Sequence, residues 1–305
     1  MADLADISKI IRQRDASIAI NIVTPRDTAD AVPKERWQFK SITVAFCRSR
    51  RFVPPRGPIF ECRAIPKLEQ YGRFLAGGIA TPRTERFVVG RAYDPELWSP
   101  YVILKPLPLD VTSRAGSAKL YRTARLATVN PASLTPEHPL SSGPALVQEF
   151  IDTGFHPYKW RVLSFLGEPL YCSITRSAVP RAPLDADDET LEASIVDAKN
   201  EASKAADTEG QRNALVLDQA VLAFARSIHR LFPRRTLLGI DILKRVPDGK
   251  LFAIEVNAGG NVWHFSSPKQ GHRKRLGGKS AMIAQLDAWN VAATRLIDLA
   301  RGEAS

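Results

Sequence analysis

Apolar positions along the chain follow two periodicities, one typical of strands and one typical of helices. Short runs rich in β-branched residues predict strands at 17–23, 41–46, 100–106, 120–129, 145–151, 161–165 and 170–175. Apolar residues at steps of three and four predict helices over 65–77, 217–231 and 282–296. Residues 183–210 have no wide apolar face and are predicted to form an exposed helical excursion. The pattern as a whole predicts an α+β protein whose strands are mainly antiparallel and covered by helices.

The most informative segment is a predicted hairpin over 237–257. Two strand-like runs flank Pro-Asp-Gly at 247–249, a combination that suits a three-residue loop with a glycine bulge. This loop pairs Val246 with Lys250, and counting outward places Asp241 opposite Glu255. Directly opposed side chains lie about 5 Å apart at Cβ, so the two carboxylates are expected to meet on one face of the sheet.

Two opposed carboxylates repel each other unless a cation lies between them. Asn257 follows Glu255 by two residues, so alternation places its amide on the same face. Oxygen ligands of this kind select a hard ion such as Mg²⁺. The alternative is a solvated sheet face with acids at its edge. The apolar residues that bury the opposite face, Ile240, Ile242, Ile254 and Val256, favour the metal interpretation.

Several segments together resemble the ATP-grasp superfamily. GIDIL at 239–243 and FAIEVNAGG at 252–260 are similar to its metal-binding hairpin. ILKP at 103–106 resembles the strand whose lysine reaches the nucleotide phosphates, and LVQEFI at 146–151 resembles the hinge on which adenine stacks. Lys67 matches the earlier lysine of the nucleotide site. The closest similarity is to the branch containing ribosomal-protein glutamate ligase and bacterial glutathione synthetase.

The resemblance implies a fold, a domain division and a set of roles. The implied ATP-grasp fold has two α+β subdomains that grip ATP, at 65–151 and 152–305, with a short substrate region at 1–64 and an acidic helical insertion at 181–213. It implies Mg²⁺ bound to Asp241, Glu255 and Asn257, and ATP bound to Lys67, Lys105, Gln148, Glu149, Phe150, Ile151 and Asp152. Arg161 and Arg176 would be catalytic, holding the γ-phosphate and an acyl phosphate.

The function implied is an ATP- and Mg²⁺-dependent ligase that joins a carboxylate to an amine through an acyl phosphate. Its partners would be small-molecule or peptide acids and amines. Two alternatives remain open: a kinase acting on an anionic small molecule, and a nucleotide- or nucleic-acid-binding module without turnover. The family's phosphate lid is usually rich in glycine, whereas 110–119 has one glycine, which keeps the second alternative open.

The composition indicates which partners the protein favours and in which compartment it is expected. The 305 residues carry a net charge of +11 and a pI near 9.8, which favours anionic partners: nucleic acid, anionic lipid or a small anion such as a nucleotide. The basic runs have no interleaved aromatic residues of the kind that single-strand binders use, so nucleic acid is less favoured. No apolar run approaches the length of a membrane span, and the first residues lack a secretory pattern. Cys47, Cys62 and Cys172 are expected to be buried thiols in a reducing cytoplasm. His264 is expected to be a packed histidine in preference to a catalytic base.

Overall fold

The computed structural model describes residues 2–47, 51–107, 118–130, 133–134, 136, 141, 143–194, 211–259, 262–266 and 270–302. The helices are α1 (Ala2–Arg14), α2 (Lys67–Ala76), α3 (Pro95–Trp98), α4 (Asp188–Ala193), α5 (Gln219–Arg230), α6 (Gln270–Arg275), α7 (Gly278–Leu286) and α8 (Ala288–Arg301). Within these residues no helix combines the length and apolar character that crossing a membrane requires.

Two antiparallel sheets form the framework, which confirms the predicted α+β class. The four-stranded sheet has the order β3-β6-β4-β5, with β3 (Thr84–Arg86), β4 (Tyr101–Pro106), β5 (Lys119–Arg122) and β6 (Ala145–Glu149). The five-stranded sheet has the order β11-β10-β7-β8-β9, with β7 (Tyr158–Phe165), β8 (Glu168–Ser177), β9 (Gln211–Leu215), β10 (Leu237–Lys244) and β11 (Leu251–Ala258). A short parallel pair, β1 (Thr43–Val44) and β2 (Ile59–Phe60), precedes them.

Each face of the five-stranded sheet has its own apolar core. Residues of α2 and α5 cover one face, where Ile240, Ile242 and Val256 are buried. The other face packs against α1, α7 and α8, and Tyr171 lies in that core. Near the middle of this second face the side chains of β7, β10 and β11 are polar, and this region contains the candidate site.

The hairpin of β10 and β11 pairs Asp241 with Glu255, which confirms the predicted cross-strand pair. The predicted turn, however, is wrong by one residue. The Arg245 amide donates to the Lys250 carbonyl at 2.9 Å, so the loop has four residues instead of three. A bulge opposite the step from Asp241 to Ile242 inserts one extra residue into β11 and restores the predicted pairing.

Four other sequence-based expectations need correction. Residues 17–23 are irregular, because their apolar side chains pack on the α1 and α8 core instead of pairing. The strand predicted over 120–129 ends at Arg122 and continues as a 3₁₀ helix, Thr123–Thr128. The helix predicted over 282–296 is broken at Asp287, whose φ of 54° is incompatible with an α-helix. Cys47 is exposed, whereas Cys62 and Cys172 are buried as expected.

The acidic segment is only partly described, and its described part is not an exposed excursion. Leu191 of α4 is fully buried against Ile103 and Leu120 of the four-stranded sheet. The Tyr101 hydroxyl donates to the Leu184 carbonyl at 2.6 Å, and Asp188 pairs with Arg122. Residues 195–210 of the predicted excursion lie outside the described residues. The segment therefore begins by crossing from the end of β8 to the other sheet.

Candidate active site

The three predicted metal ligands lie together on one face of the hairpin. Asp241 and Glu255 are directly opposed, and the Asn257 side-chain amide donates to Glu255 Oε1 at 3.2 Å. Asn257 and Glu255 share a face because they are two residues apart on β11. The hairpin thus brings the three predicted ligands together on one face, with the Asn257 amide in contact with Glu255.

Asp241 is held by two basic residues of the neighbouring strand β7. Arg161 is paired with Asp241 in the register, and its Nε and Nη2 donate to the two carboxylate oxygens at 2.6 Å each. Lys159 Nζ donates to Oδ2 at 3.1 Å. The Asp241 side chain is 1% exposed, so this is a buried, bidentate charge pair with a second cation beside it.

The electrostatic effect of this pairing is to fix the charge of Arg161. Burial alone lowers the pKa of Arg161, but the Asp241 carboxylate outweighs it, and the pKa lies above its ordinary value. Glu255 adds to the same effect. Arg161 therefore remains a cation and is oriented at the centre of the polar face.

Lys159 is a site residue that the sequence analysis missed. It precedes Arg161 by two residues on β7, so strand alternation places both side chains on one face. That spacing is the signal that could have identified it. Lys67, the first residue of α2, completes the group, with Nζ 3.5 Å from Glu255 Oε2. We refer to Lys67, Lys159, Arg161, Asp241, Glu255 and Asn257 as the sheet-face cluster.

Lys105 of β4 and Gln148 of β6 contact each other on one face of the four-stranded sheet. Lys105 Nζ donates to Gln148 Oε1 at 2.6 Å. Gln148 Nε2 donates to the hydroxyls of Tyr71 at 2.9 Å and Thr84 at 2.8 Å. Burial raises the pKa of Tyr71, and the nearby Glu255 carboxylate raises it further, so this phenol is neutral and lies within electrostatic reach of the cluster.

The predicted hinge residues connect the two sheets. The Glu149 amide donates to the Arg83 carbonyl at 2.9 Å, the Phe150 amide donates to the Tyr101 carbonyl at 3.1 Å, and Ile151 is buried. The Asp152 carbonyl accepts from the Val246 amide of the hairpin loop at 2.9 Å. The Asp152 carboxylate is bound by Arg181. The hinge is thus attached directly to the hairpin that carries the predicted metal ligands.

Arg176, predicted to be catalytic together with Arg161, does not share the sheet face of Arg161. It pairs with Tyr158 in the register of β7 and β8, three residues from the Arg161 position, and therefore lies on the opposite face. Its guanidinium carbon stands 4.9 Å from the centre of the Tyr158 ring. A cation–π contact is the role that this geometry supports.

The cluster fits a single hard cation together with a polyanion. Glu255 and Asn257 offer oxygen donors side by side, and Asp241 lies across from them, a set that suits Mg²⁺. The described residues contain no group of three or more His, Cys, Asp or Glu side chains arranged to hold a metal. Three cations against two carboxylates leave the cluster net positive, which favours phosphate.

Two other features of the sequence remain, His264 and the glycine-poor segment. His264 is 5% exposed, with its ring 4.7 Å from that of His272, in agreement with the packed histidine expected. Of the glycine-poor segment 110–119, residues 110–117 lie outside the described residues.

The chain matches no known family model and no curated protein. It does match solved structures of ATP-grasp ligases, the superfamily that its motifs resemble. For the ATP-grasp ligase PsnB complexed with a minimal precursor, identity is 17% and the TM-score 0.41, covering 76% of this chain and 66% of that one. For D-alanyl-alanine synthetase A from Vibrio cholerae, identity is 13% and the TM-score 0.45, and the match covers 83% of this chain and 68% of that one.

A third match is the macrocyclase MdnC bound with the precursor peptide MdnA from Microcystis aeruginosa, at 14% identity and a TM-score of 0.40, covering 73% of this chain and 60% of that one. The chain therefore spans less than two thirds of the length of the PsnB and MdnC chains. Similarity at this level does not transfer a function, which has to be inferred from the chain's own residues.

Proposed function

We propose that this protein is an ATP- and Mg²⁺-dependent ligase of the ATP-grasp type that joins a carboxylate to an amine. The observation that carries the proposal is the opposed pair of Asp241 and Glu255, with Asn257 beside it and Arg161 facing it. Carboxylates, an amide and a fixed arginine on one sheet face suit the transfer of a phosphoryl group, which relies on positioning and charge.

Each residue then has a defined role. Lys105 and Lys67 neutralise the nucleotide phosphates, and the hinge residues 148–152 bind the base and ribose. Mg²⁺, held by Glu255, Asn257 and Asp241, would screen the phosphate oxygens when bound. Arg161, which Asp241 holds in place, faces the charge that develops on the transferred phosphoryl group.

The chemistry consists of two displacements. A carboxylate oxygen of the acid substrate attacks the γ-phosphorus, and ADP leaves, which gives an acyl phosphate. The nitrogen of the amine then attacks the acyl carbon, inorganic phosphate leaves, and the amine proton passes to solvent. No side chain becomes covalently modified, so the fixed cations Arg161 and Lys159 contribute by stabilising negative charge.

The test is calorimetry of ATP binding with and without Mg²⁺ on wild type, Glu255→Gln and Asp248→Asn. Asp248 is a matched control because it lies in the loop of the same hairpin, is exposed, and pairs with Arg245. We expect Mg²⁺ to tighten binding in wild type and in Asp248→Asn, and to have at least tenfold less effect in Glu255→Gln. Equal Mg²⁺ dependence in all three proteins would refute the metal assignment.

Product analysis then separates ligation from phosphorylation. A ligase releases inorganic phosphate only when acid and amine are both present, whereas a kinase yields ADP with no free phosphate and needs no amine. Screening acids and amines for phosphate release, with Glu255→Gln as the inactive reference, therefore decides between these reactions.

A further inference from the structure

Helix α2 presents three polar side chains toward the candidate site from one side. Lys67, Gln70 and Tyr71 stand at helical positions i, i+3 and i+4, which lie next to one another on the helix surface. Lys67 reaches Glu255 directly, as described above. The other two are buried and contact the two halves of the site separately, and the site chemistry proposed so far does not use them.

Gln70 holds the backbone of the strand that carries the metal ligands. Among the strands that the structure describes, β11 lies at the edge of its sheet, so its outer amides face no neighbouring strand there. Gln70 Oε1 accepts from the Val256 amide at 2.7 Å, and its Nε2 donates to the Ile65 carbonyl at 2.8 Å. Val256 lies between Glu255 and Asn257, so this contact sets the position of both side chains relative to α2.

Tyr71 contacts the other half of the site. Its hydroxyl accepts from Gln148 Nε2 at 2.9 Å, and Gln148 Oε1 accepts from Lys105 at 2.6 Å. Tyr71 is 5% and Gln148 2% exposed, so these hydrogen bonds have no competition from bulk water. Two successive hydrogen bonds therefore connect α2 to the lysine proposed to bind the phosphates.

We propose that Gln70 and Tyr71 are positioning residues that couple metal binding at Glu255 and Asn257 to nucleotide binding at Lys105. One rigid helix face fixes the separation between the two groups, so a ligand that orders one half also orders the other. Each ligand then tightens the other by the same factor. This inference rests on the proposed function, since it requires both ligands to bind.

The decisive variant is Tyr71→Phe, which removes one hydroxyl and keeps the ring that packs in the core. Gln148 then loses one of its two hydrogen-bond acceptors and is no longer held to α2. The quantity to measure by calorimetry is the coupling factor, the ratio of the ATP dissociation constants without and with Mg²⁺. We expect this factor to fall about tenfold, the effect of losing one buried hydrogen bond of ordinary strength.

A matched pair of glutamines separates positioning from general stability. Gln285 of α7 also binds strand backbone, accepting from the Cys172 amide at 2.8 Å and donating to the Cys172 carbonyl at 2.9 Å, but outside the sheet-face cluster. Gln70→Leu and Gln285→Leu each remove a side-chain amide that binds strand backbone. We expect both to lower the midpoint of thermal unfolding, and only Gln70→Leu to lower the coupling factor.

The outcomes distinguish this inference from the proposed function. A Mg²⁺-dependent wild type whose coupling factor is unchanged in Tyr71→Phe and Gln70→Leu would overturn the positioning role and leave the function standing. An equal loss of coupling in Gln285→Leu would also overturn it, because the effect would then follow stability alone. A folded wild type that does not bind ATP would overturn both, because there would be no nucleotide site to position.

Discussion

Removing Asp241 should destabilise the fold far more than removing Glu255, although the two carboxylates oppose each other on the same hairpin. Asp241 is 1% exposed and accepts three charge-assisted hydrogen bonds, two from Arg161 and one from Lys159. Asp241→Asn keeps the shape but removes the carboxylate charge that faces the largely buried cations Arg161 and Lys159. Removing one partner of a buried ion pair costs about 3–5 kcal/mol.

Asparagine retains one acceptor oxygen, so we expect Asp241→Asn to lower the free energy of unfolding by about 3 kcal/mol. Glu255 makes a weaker ion pair and is more exposed to solvent than Asp241. It pairs with Lys67 at 3.5 Å, and both side chains are about one fifth exposed, at 19% for Glu255 and 20% for Lys67. Glu255→Gln should therefore cost less than about 1 kcal/mol, since such pairs contribute little to stability.

Urea unfolding of both variants and of the exposed-pair control Asp248→Asn measures this difference. The comparison requires that the slope of the unfolding free energy against urea concentration is the same in all variants. Adding Arg161→Met to Asp241→Asn tests the cause, because removal of the unpaired cation should recover part of the loss. If Asp241→Asn were no more than about 1 kcal/mol less stable than Asp248→Asn, the buried charge pair would not be the anchor described here.

Two further predictions concern regions outside the site. Burial lowers the pKa of His229 from its ordinary 6.5 to about 4, so the folded protein binds this proton less readily than the unfolded chain does. The free energy of unfolding therefore decreases as the pH falls from about 6.5 to about 4, by about 3 kcal/mol in all. In urea unfolding at several pH values, His229→Gln should lack this part of the acid sensitivity, and an unchanged pH slope would contradict the assignment. Asp188→Asn, which breaks the pairs with Arg122 and Arg125, should accelerate amide hydrogen exchange in α4 and change the unfolding free energy by less than about 1 kcal/mol, because these side chains are more than one third exposed. Exchange as slow as in the control Glu189→Gln would show that Asp188 does not hold the helix.

Much of the candidate site could be predicted from the sequence because its rules are local. The opposition of Asp241 and Glu255 follows from alternation and from a turn near 247–249. The predicted pair is correct although the predicted loop is one residue too short, because a bulge in β11 offsets the longer loop. A bulge is defined by how two strands pair, so the alternation pattern of a single strand does not reveal it.

The placement of Arg176 shows a different limit. Whether it shares a face with Arg161 depends on the register between β7 and β8, and a shift of one residue reverses the face of every side chain. The sequence predicts strands at 161–165 and 170–175 but does not reveal the register between them. Similarly, the acidic segment looked exposed because Leu191 is one of few apolar residues in it, yet that residue is fully buried.

The sequence by itself determined most of the elements and the chemistry of the hairpin: which runs form most strands and helices, and which carboxylates and amide the hairpin carries. Those properties depend on residues close together in the chain. The tertiary structure alone decided that Lys159 binds Asp241, that Gln70 holds β11, and that Tyr71 reaches Lys105 through Gln148. Such contacts join residues far apart in sequence, and they exist only because two sheets and one helix pack in a particular arrangement that local patterns do not encode.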